Sequence, residues 1–427
     1  MRMRMRGPWL LLPFLFACEK TTPTNSARPA SDPSVSTPTP QASSAVPAEA
    51  SELAVGSNGF AVDFWQKAAL KKSGNLAFSP ASISIAFAMT YPGGKGETAS
   101  QMKKAMQFTG APEKWGTLAR SLTSPDRQLK LRIANRLFGE KTYKFEQPYL
   151  DLTKDAFDAP IERVDFVGAT DPSRVAINKW VEDKTEQRIK DLLPPGALDS
   201  YTRLVLVNAI YFLADWANEF EKQRTKDRPF EVDASTKKTV PMMFEKAHFG
   251  LAKQDGVTVV ELPYKKQEAS MFVVLPEKKD GLAEVEKGLT KGKLDAWMKA
   301  AKPEDVELSL PRFQIETPSL QLADEMASLG MPDAFNRDKA DFTAIANPPK
   351  KEDRLFIAKV FHKAFVKVDE KGTEAAAATA VVMAKGGGAP SKGTVVDVDH
   401  PFLFFIVDKQ SGLILFMGRV VDPSMKS

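Results

Sequence analysis

The sequence predicts a large α+β domain with mixed or antiparallel β-sheets, preceded by an export signal and a linker. Apolar patterns with helical spacing come mainly early in the chain, and apolar runs of strand length come mainly later. They do not follow the strict alternation of strand and helix that is typical of parallel α/β folds. The chain has 427 residues, of which 43% are hydrophobic and 26% are charged, and this is the composition of an ordinary globular protein.

The charge and the rare residue types exclude several classes of function. The formal net charge is +5, and three arginines lie within the first six residues, so the remaining chain is only slightly basic and no nucleic-acid partner is expected. One cysteine and three histidines exclude a disulfide framework and a cysteine-rich zinc site, and we expect no metal and no cofactor. The sequence contains no nucleophile elbow, Walker loop, zinc-protease motif or dinucleotide fingerprint, so we do not expect an enzyme.

Residues 1–18 have the features of a lipoprotein-type signal peptide. Arginine alternates with methionine at the start, and the apolar run from Trp9 to Ala17 is far shorter than the roughly 20 residues that span a bilayer. The segment Leu15-Phe16-Ala17-Cys18 resembles the bacterial lipobox, in which the cysteine becomes the lipid-modified first residue. The resemblance implies an exported lipoprotein, anchored through Cys18 on the periplasmic or extracellular side of a membrane. The alternative is an ordinary cleaved signal with an incidental cysteine.

Residues 19–57 are predicted to form a disordered linker. The segment from Glu19 to Ser51 contains six prolines, many serines and threonines, and no aromatic residue. A segment of this composition buries too little apolar surface to offset the entropy that it would lose on ordering. We expect it to hold the folded body, residues 58–427, away from the membrane, so that the lipid anchor is the body's only link to the membrane.

Three helices are predicted in the first half of the body. Apolar residues recur at helical spacing from Phe60 onward, and this helix is predicted to end at Gly74. A second helix is predicted at residues 81–91, with Ser79 as its N-cap and a proline in its first turn. A third helix is predicted to start at residues 171–172 and to end before Pro194.

Apolar runs in the rest of the body predict six strands. Residues 204–212 are almost entirely apolar, and we expect them to form a central strand that is buried on both faces. Five shorter runs predict further strands at residues 270–275, 306–310, 364–368, 402–407 and 413–417.

Several segments, in the same order along the chain, resemble landmarks of the serpin family. They are residues 75–83 (NLAFSPASI), 207–212 (VNAIYF) with Trp216, 240–244 (VPMMF), 310–313 (LPRF), 362–375 (HKAFVKVDEKGTEA), 400–404 (HPFLF) and 416–420 (FMGRV). The resemblance implies a monomeric, bacterial-type serpin. It also implies the serpin fold, with three β-sheets, eight or nine helices and an exposed reactive loop near the C-terminus, at about residues 370–395.

The same resemblance implies a polar cluster behind the central sheet and a tryptophan at the point where the loop enters it. Ser79, Ser82, Asn208 and His362 are expected to form the shutter, the region where two strands part to admit the reactive loop. Trp216 is expected to lie at the breach, where the loop first enters the sheet. The alternative for each of these residues is an ordinary core side chain with satisfied hydrogen bonds.

The segment that follows residue 369 has the composition of a strand that can enter a sheet. One face from Thr373 to Met383 carries only small or apolar residues at a period of two, without proline or charge. Gly372 is expected to give the segment conformational freedom. The alanine-rich run by itself would instead predict a surface helix or a low-complexity linker. The predicted hinge consists of Glu370, Gly372, Thr373, Glu374, Ala375, Ala376, Ala377, Ala378 and Thr379.

The serpin resemblance implies a suicide-substrate inhibitor of a serine protease. The protease attacks the loop and forms an acyl-enzyme, and the loop then inserts into the central sheet and carries the protease along. The 14 residues from Thr373 to Gly386 span about 48 Å when extended, close to the diameter of roughly 54 Å expected for a body of this size. The alternative is a non-inhibitory serpin that binds a ligand or has a structural role, but the small hinge residues favour inhibition.

The reactive bond is predicted among Lys385, Gly386 and Gly387. The usual family spacing places the cut after Gly386. Glycine has no side chain that the specificity pocket of a protease could bind, so this match is chemically poor. Cleavage after Lys385 suits a trypsin-like protease and is the preferred prediction. Cleavage after Met383 or Ala384 would suit an elastase-like or subtilisin-like protease.

Overall fold

The computed structural model describes residues 49–373 and 393–425, which belong to one compact unit. These residues form nine α-helices and sixteen β-strands. The helices are α1 (Ala50–Lys67), α2 (Pro80–Thr90), α3 (Gly96–Ala105), α4 (Pro112–Leu122), α5 (Gln147–Asp155), α6 (Thr170–Lys184), α7 (Leu282–Lys287), α8 (Lys291–Ala300) and α9 (Ala323–Ser328). The strands are β1 (Leu76–Phe78), β2 (Lys130–Glu140), β3 (Glu162–Val164), β4 (Leu204–Asp215), β5 (Lys226–Glu231), β6 (Lys237–Gln254), β7 (Val257–Pro263), β8 (Ala269–Pro276), β9 (Lys302–Pro311), β10 (Phe313–Glu316), β11 (Leu320–Gln321), β12 (Lys359–Val368), β13 (Gly372–Thr373), β14 (Thr394–Asp397), β15 (Phe402–Asp408) and β16 (Ile414–Val420).

The folded body begins earlier than the sequence predicts. Helix α1 starts at Ala50, so residues 50–57 are helical and do not belong to the predicted linker. Ala50, Leu53 and Ala54 are buried in the core, and this burial stabilises the first turns of the helix. The prediction was wrong here because it rested on composition averaged over a long segment. The helix also ends at Lys67, before the predicted Gly74, and a short 3₁₀ turn follows at residues 69–71.

The second and third predicted helices differ in how well the sequence defines their ends. Helix α2 is confirmed: Ser79 is its N-cap, the Ser79 side chain accepts a hydrogen bond from the backbone N–H of Ser82, and all eleven helical residues are buried. Helix α6 ends at Lys184, ten residues before Pro194, because the backbone reverses at Glu186 and Gln187, which have positive φ angles. The stretch after α6, residues 185–203, forms a connection to β4.

The seven-stranded sheet contains the predicted central strand. Its order is β10-β12-β13-β4-β2-β3, with β11 also paired to β12. Strand β4 pairs antiparallel with β2, and it pairs parallel with β12 over residues 205–211 and 359–365. Beyond these residues the two-residue strand β13 pairs with both β12 and β4. We refer to the parallel pairing between β4 and β12 as the seam.

The nine-stranded sheet contains all the described strands that lie outside the seven-stranded sheet. Its order is β1-β16-β15-β8-β7-β6-β9-β14, and β5 pairs with β6 at the side. The described strands therefore form two hydrogen-bonded sheets, where the serpin resemblance implied three. The physical reason is the length of β6, which has 18 residues and pairs continuously with β9 over residues 242–251. Its first part also pairs with β5 and its last part with β7.

Strand β4 separates two hydrophobic cores. Leu204, Leu206, Ile210 and Phe212 point into the main core, which includes α1, α2 and the nine-stranded sheet. The alternate residues of β4 point into a smaller core under α6 and the connection that follows it. The strand is thus buried on both faces, as predicted. No helix within the described ranges combines the length and the apolar content needed to cross a membrane.

Candidate functional site

His362, Asn208 and Asn135 lie side by side on three strands of the seven-stranded sheet. His362 on β12 is in register with Asn208 on β4, and Asn208 is in register with Asn135 on β2. The Nε2 atom of His362 accepts a hydrogen bond of 3.1 Å from the backbone N–H of Ser79, so the ring proton lies on Nδ1 and is donated to Oδ1 of Asn208. The Asn208 amide donates to Ser82 Oγ at 2.7 Å and also to Oδ1 of Asn135.

The environment of His362 keeps its ring neutral. The side chain is fully buried, and this burial lowers the pKa of His362 to about 3. A neutral ring satisfies both neighbours, because one nitrogen must accept from a backbone N–H while the other donates to an amide oxygen. The cluster therefore forms a buried hydrogen-bonded link across the seam.

The structure brings together the four predicted shutter residues and adds a fifth. Ser79 is the N-cap of α2 and Ser82 lies in its first turn, and Asn208 and His362 come from the two strands of the seam. Asn135 completes the cluster: it accepts from Asn208, and its amide donates to the backbone oxygen of Ser82 at 3.0 Å. Asn135 was not predicted, because four of the eleven residues of β2 are charged and its sequence does not stand out as an apolar strand.

Trp216 contacts the start of the hinge, at the end of the seam. Its indole Nε1–H donates to the backbone oxygen of Asp369 at 2.9 Å, and its backbone N–H donates to the oxygen of Lys371 at 2.8 Å. The indole ring stacks on Tyr264, with centroids 4.5 Å apart and an interplanar angle of 11°. The Tyr264 hydroxyl lies 2.6 Å from Oγ1 of Thr373. Trp216 thus lies where the resemblance places the breach, and Tyr264 is a contact that the sequence did not predict.

Glu370 fixes the hinge on its other side. Its side chain is buried, and its carboxylate accepts hydrogen bonds from Arg312, with Nε at 2.7 Å, and from the hydroxyl of Thr225. Burial raises the pKa of Glu370, but the hydrogen bonds from Arg312 and Thr225 outweigh this effect and hold the pKa below its ordinary value. The backbone N–H of Phe220 donates to the backbone oxygen of Glu370 at 2.8 Å. Glu370 is therefore an ionised anchor for the residues that precede the loop.

Gly372 is required by close packing rather than by conformational freedom. A Cβ atom at this position would lie 2.0 Å from the backbone oxygen of Ala214 on β4, which no real structure tolerates. The next residue, Thr373, pairs with Val368 of β12 and with Ala214 of β4, and it is fully buried. The described part of the hinge thus already lies in the sheet.

The remaining predicted sites lie outside the described residues. These are Glu374, Ala375, Ala376, Ala377, Ala378 and Thr379 of the hinge, Lys385, Gly386 and Gly387 at the reactive bond, and Cys18. Within residues 49–373 and 393–425, no group of three or more histidine, cysteine, aspartate or glutamate side chains is arranged to hold a metal ion.

Comparison with known proteins identifies the family. A family model described as "Serpin (serine protease inhibitor)" matches residues 55–423. This chain belongs to the serpin family. Among its relatives, the leukocyte elastase inhibitor of Homo sapiens is 39% identical over 384 residues, which cover 87% of this chain and 100% of the relative. Serpin B10 of Bos taurus is 39% identical over 401 residues, which cover 87% of this chain and 99% of the relative.

Solved serpin structures have the same fold. Uncleaved ovalbumin matches with a TM-score of 0.79 and 28% identity, and the match covers 87% of this chain and 100% of ovalbumin. Human thyroxine-binding globulin also matches with a TM-score of 0.79, at 27% identity, and the match covers 88% of this chain and 100% of the globulin. The predicted serpin fold is therefore confirmed.

Proposed function

We propose that this serpin inhibits a serine protease by covalent trapping, in which the cleaved loop enters the seam as a new strand. The observation that carries the proposal is β13, because Gly372 and Thr373 already pair with both β4 and β12. The hinge thus occupies the entry to the seam before any cleavage. Relatives that are named as protease inhibitors support the same function. The chain would act as a consumed substrate and not as an enzyme.

Strand pairing supplies the driving force for insertion. Strands β4 and β12 pair in parallel, whereas β13 is antiparallel to both of them. A loop that continues from Thr373 into the seam would replace one parallel ladder by two antiparallel ladders. Antiparallel pairing is slightly more stable per residue, and two ladders satisfy more backbone groups than one. The inserted state would therefore be the more stable one.

The shutter sets the main local cost of insertion. The hydrogen bond from His362 to Asn208 crosses the seam, so a strand that enters between them must break it. Both groups are buried, and each needs a new partner when the strands part. The shutter would therefore hold the seam closed until the loop is cut.

We propose an elastase-like serine protease as the target, because several relatives are named leukocyte elastase inhibitor. This target requires cleavage after Met383 or Ala384. The trypsin-like preference expected from Lys385 has no support in the relatives' names. The experiment below therefore also includes trypsin, which would cleave after Lys385.

Mixing the protein with proteases tests this function. Residues 19–427 would be incubated with elastase, trypsin and subtilisin and analysed on denaturing gels. We expect a band at the summed mass of inhibitor and protease that survives detergent, and mass spectrometry of the released peptide locates the cut. If every protease cleaves the loop, forms no such band and stays active, then covalent trapping is rejected and a non-inhibitory binding role replaces it.

We also propose that the protein is exported and anchored through a lipid on Cys18. The proposal is supported by the position of the single cysteine after a short apolar run. Mass spectrometry of membrane-extracted protein would show an acylated residue 18 at the N-terminus. Equal membrane retention of the wild-type protein and the Cys18→Ser variant would contradict the anchor.

A further inference from the structure

Two buried hydroxyl groups face each other at the entry to the seam. The Tyr264 hydroxyl lies 2.6 Å from Oγ1 of Thr373, and either group can be the donor. Tyr264 is 1% exposed and Thr373 is fully buried. Burial raises the pKa of Tyr264 above its ordinary range, so the phenol stays protonated and able to donate.

The packing around Tyr264 fixes the position of its hydroxyl. Tyr264 directly follows β7 and forms an isolated bridge with Trp216. Its ring stacks on the Trp216 indole and meets the ring of Phe212 edge-on, with centroids 5.2 Å apart. A ring held between two aromatic side chains cannot turn away without losing both contacts. The hydroxyl is therefore a fixed point against which Thr373 can be placed.

The hinge strand that this hydroxyl contacts is short. Strand β13 has only two residues, so its backbone pairing with β4 and β12 contributes few hydrogen bonds. A tight turn connects it to β12, with the N–H of Asp369 bonded to the oxygen of Gly372 at 3.0 Å. One additional bond between buried side chains is therefore a large fraction of what keeps Thr373 in the sheet.

We propose that Tyr264 is a positioning residue that holds Thr373 in the entry to the seam, so that insertion lengthens an existing strand. This inference rests on the proposed trapping function. Insertion must compete with hydrolysis of the acyl-enzyme, and a hinge that has left the sheet must first find the entry again. When Thr373 is already held in the sheet, insertion starts without this search and is faster relative to hydrolysis.

The two hydroxyls can be removed singly and together. Tyr264→Phe leaves the Thr373 hydroxyl buried without this partner, and Thr373→Val does the same to the tyrosine hydroxyl. The double variant replaces both groups by apolar groups of nearly the same shape, so it lacks the bond but leaves neither hydroxyl without a partner. Tyr149→Phe is the matched control, because its buried hydroxyl donates to the oxygen of Met89 at 2.9 Å, far from the hinge in sequence and on α5.

The first measurement is hydrogen exchange in the uncleaved protein, which needs no protease. We expect a peptide covering residues 366–373 to exchange about tenfold faster in each single variant, as one lost bond implies. The double variant should exchange no faster than the single variants, because all three lack the same bond, and Tyr149→Phe should exchange like the wild type. If the single variants also exchange like the wild type, or if the double variant shows the sum of the two single effects, the positioning role is overturned.

The second measurement is the number of inhibitor molecules consumed for each protease trapped. We expect this number to rise several-fold, up to about tenfold, in each single variant and to rise no further in the double variant, because all three lack the same bond. A purely structural role would lower the melting temperature without changing this ratio, as we expect for Tyr149→Phe. If the wild type traps no protease while the exchange results are as expected, the proposed function fails and the placement of Thr373 by Tyr264 stands.

Discussion

His362 and Asn208 lie opposite each other on β12 and β4, and the hydrogen bond between their side chains crosses the seam. A strand that enters the seam must separate these two residues. The strength of the bond and the protonation state of the ring therefore bear directly on how firmly the sheet is closed. Both properties can be measured in the uncleaved protein.

The first prediction concerns Asn208. Asn208→Ala removes the acceptor for His362 and the donor to Ser82, and it leaves buried polar groups unpaired. We expect the free energy of unfolding to fall by about 1–3 kcal/mol. Urea denaturation of the uncleaved protein measures this change. Asn208→Asp should also destabilise the protein, because a buried carboxylate cannot donate to Ser82.

Asn178→Ala is the matched control for the loss at the seam. Asn178 is also buried, and its side chain bonds the backbone of Leu193 in both directions, away from β4 and β12. We expect a similar loss of unfolding free energy but no change in the number of inhibitor molecules consumed for each protease trapped. Equal effects of Asn178→Ala and Asn208→Ala on that ratio would contradict a specific role for the seam.

The second prediction concerns pH. The pKa of His362 is about 3 in the folded protein, against 6.5 for the ordinary side chain, so the unfolded chain binds the extra proton over this range. The contribution of His362 to stability is therefore fully present above pH 6.5 and is lost as the pH falls towards 3. The loss approaches about 1.4 kcal/mol for each pH unit well below 6.5.

The variant His362→Gln isolates this contribution, because glutamine does not titrate in this range. We expect the wild type to lose stability more steeply than His362→Gln between pH 7 and pH 4.5, measured by urea denaturation at each pH. Parallel pH curves for the two proteins would show that the ring is protonated in the folded state, or that its burial does not matter for stability.

The third prediction concerns the ion pair at the breach. Glu370→Gln keeps the shape of the side chain but removes the negative charge of the carboxylate, which accepts hydrogen bonds from Arg312 and Thr225. We expect a loss of about 1–2 kcal/mol, because hydrogen bonds to a charged group are the stronger kind. Thermal melting measures it. Glu162→Gln serves as the control, since its pair with Arg136 is half exposed and is worth at most about 0.5 kcal/mol.

The site could be predicted from the sequence mainly through short motifs. Ser79 and Ser82 fall in a helix-capping pattern, and Asn208 interrupts an apolar strand. That these residues lie together was implied only by the resemblance of their segments to serpin landmarks. The helix start at Ser79 could also be argued directly from residue types, since serine followed by proline is typical of a helix N-terminus.

The missed residues depend on contacts between distant segments. Asn135 meets Asn208 only through the register of two strands that lie 73 positions apart, and Tyr264 meets Thr373 across 109 positions. Neither pairing leaves a pattern in the local sequence, because register is set by the packing of whole strands. The described strands form two sheets where three were expected, and this difference has the same origin, since β6 pairs continuously with β9.

The fourth prediction concerns the close contact at Gly372. In Gly372→Ala the added methyl group would meet the oxygen of Ala214, so the hinge must move out of its place between the strands. We expect a several-fold rise in the inhibitor consumed for each protease trapped. Gly292→Ala in α8 is the control, because its added methyl group would meet nothing closer than 4.0 Å, and alanine favours the helix. Normal trapping by Gly372→Ala would show that the hinge enters the seam elsewhere.

The fifth prediction is that Thr373→Arg converts the inhibitor into a substrate. Thr373 is fully buried and pairs with both strands of the seam, so a charged side chain there must be desolvated for insertion to begin. The loop would still be cut, but hydrolysis of the acyl-enzyme would finish first. Denaturing gels should show cleaved inhibitor, no covalent complex and an active protease.

Thr394→Arg provides the matched substitution at the other end of the loop. Thr394 begins β14 and is only partly buried, at the edge of the nine-stranded sheet. Arginine at an exposed edge costs little, because its charge stays in water. We expect Thr394→Arg to trap protease like the wild type. Any insertion between β4 and β12 must bury residue 373. If Thr373→Arg also forms a stable complex, the loop therefore does not insert through the seam.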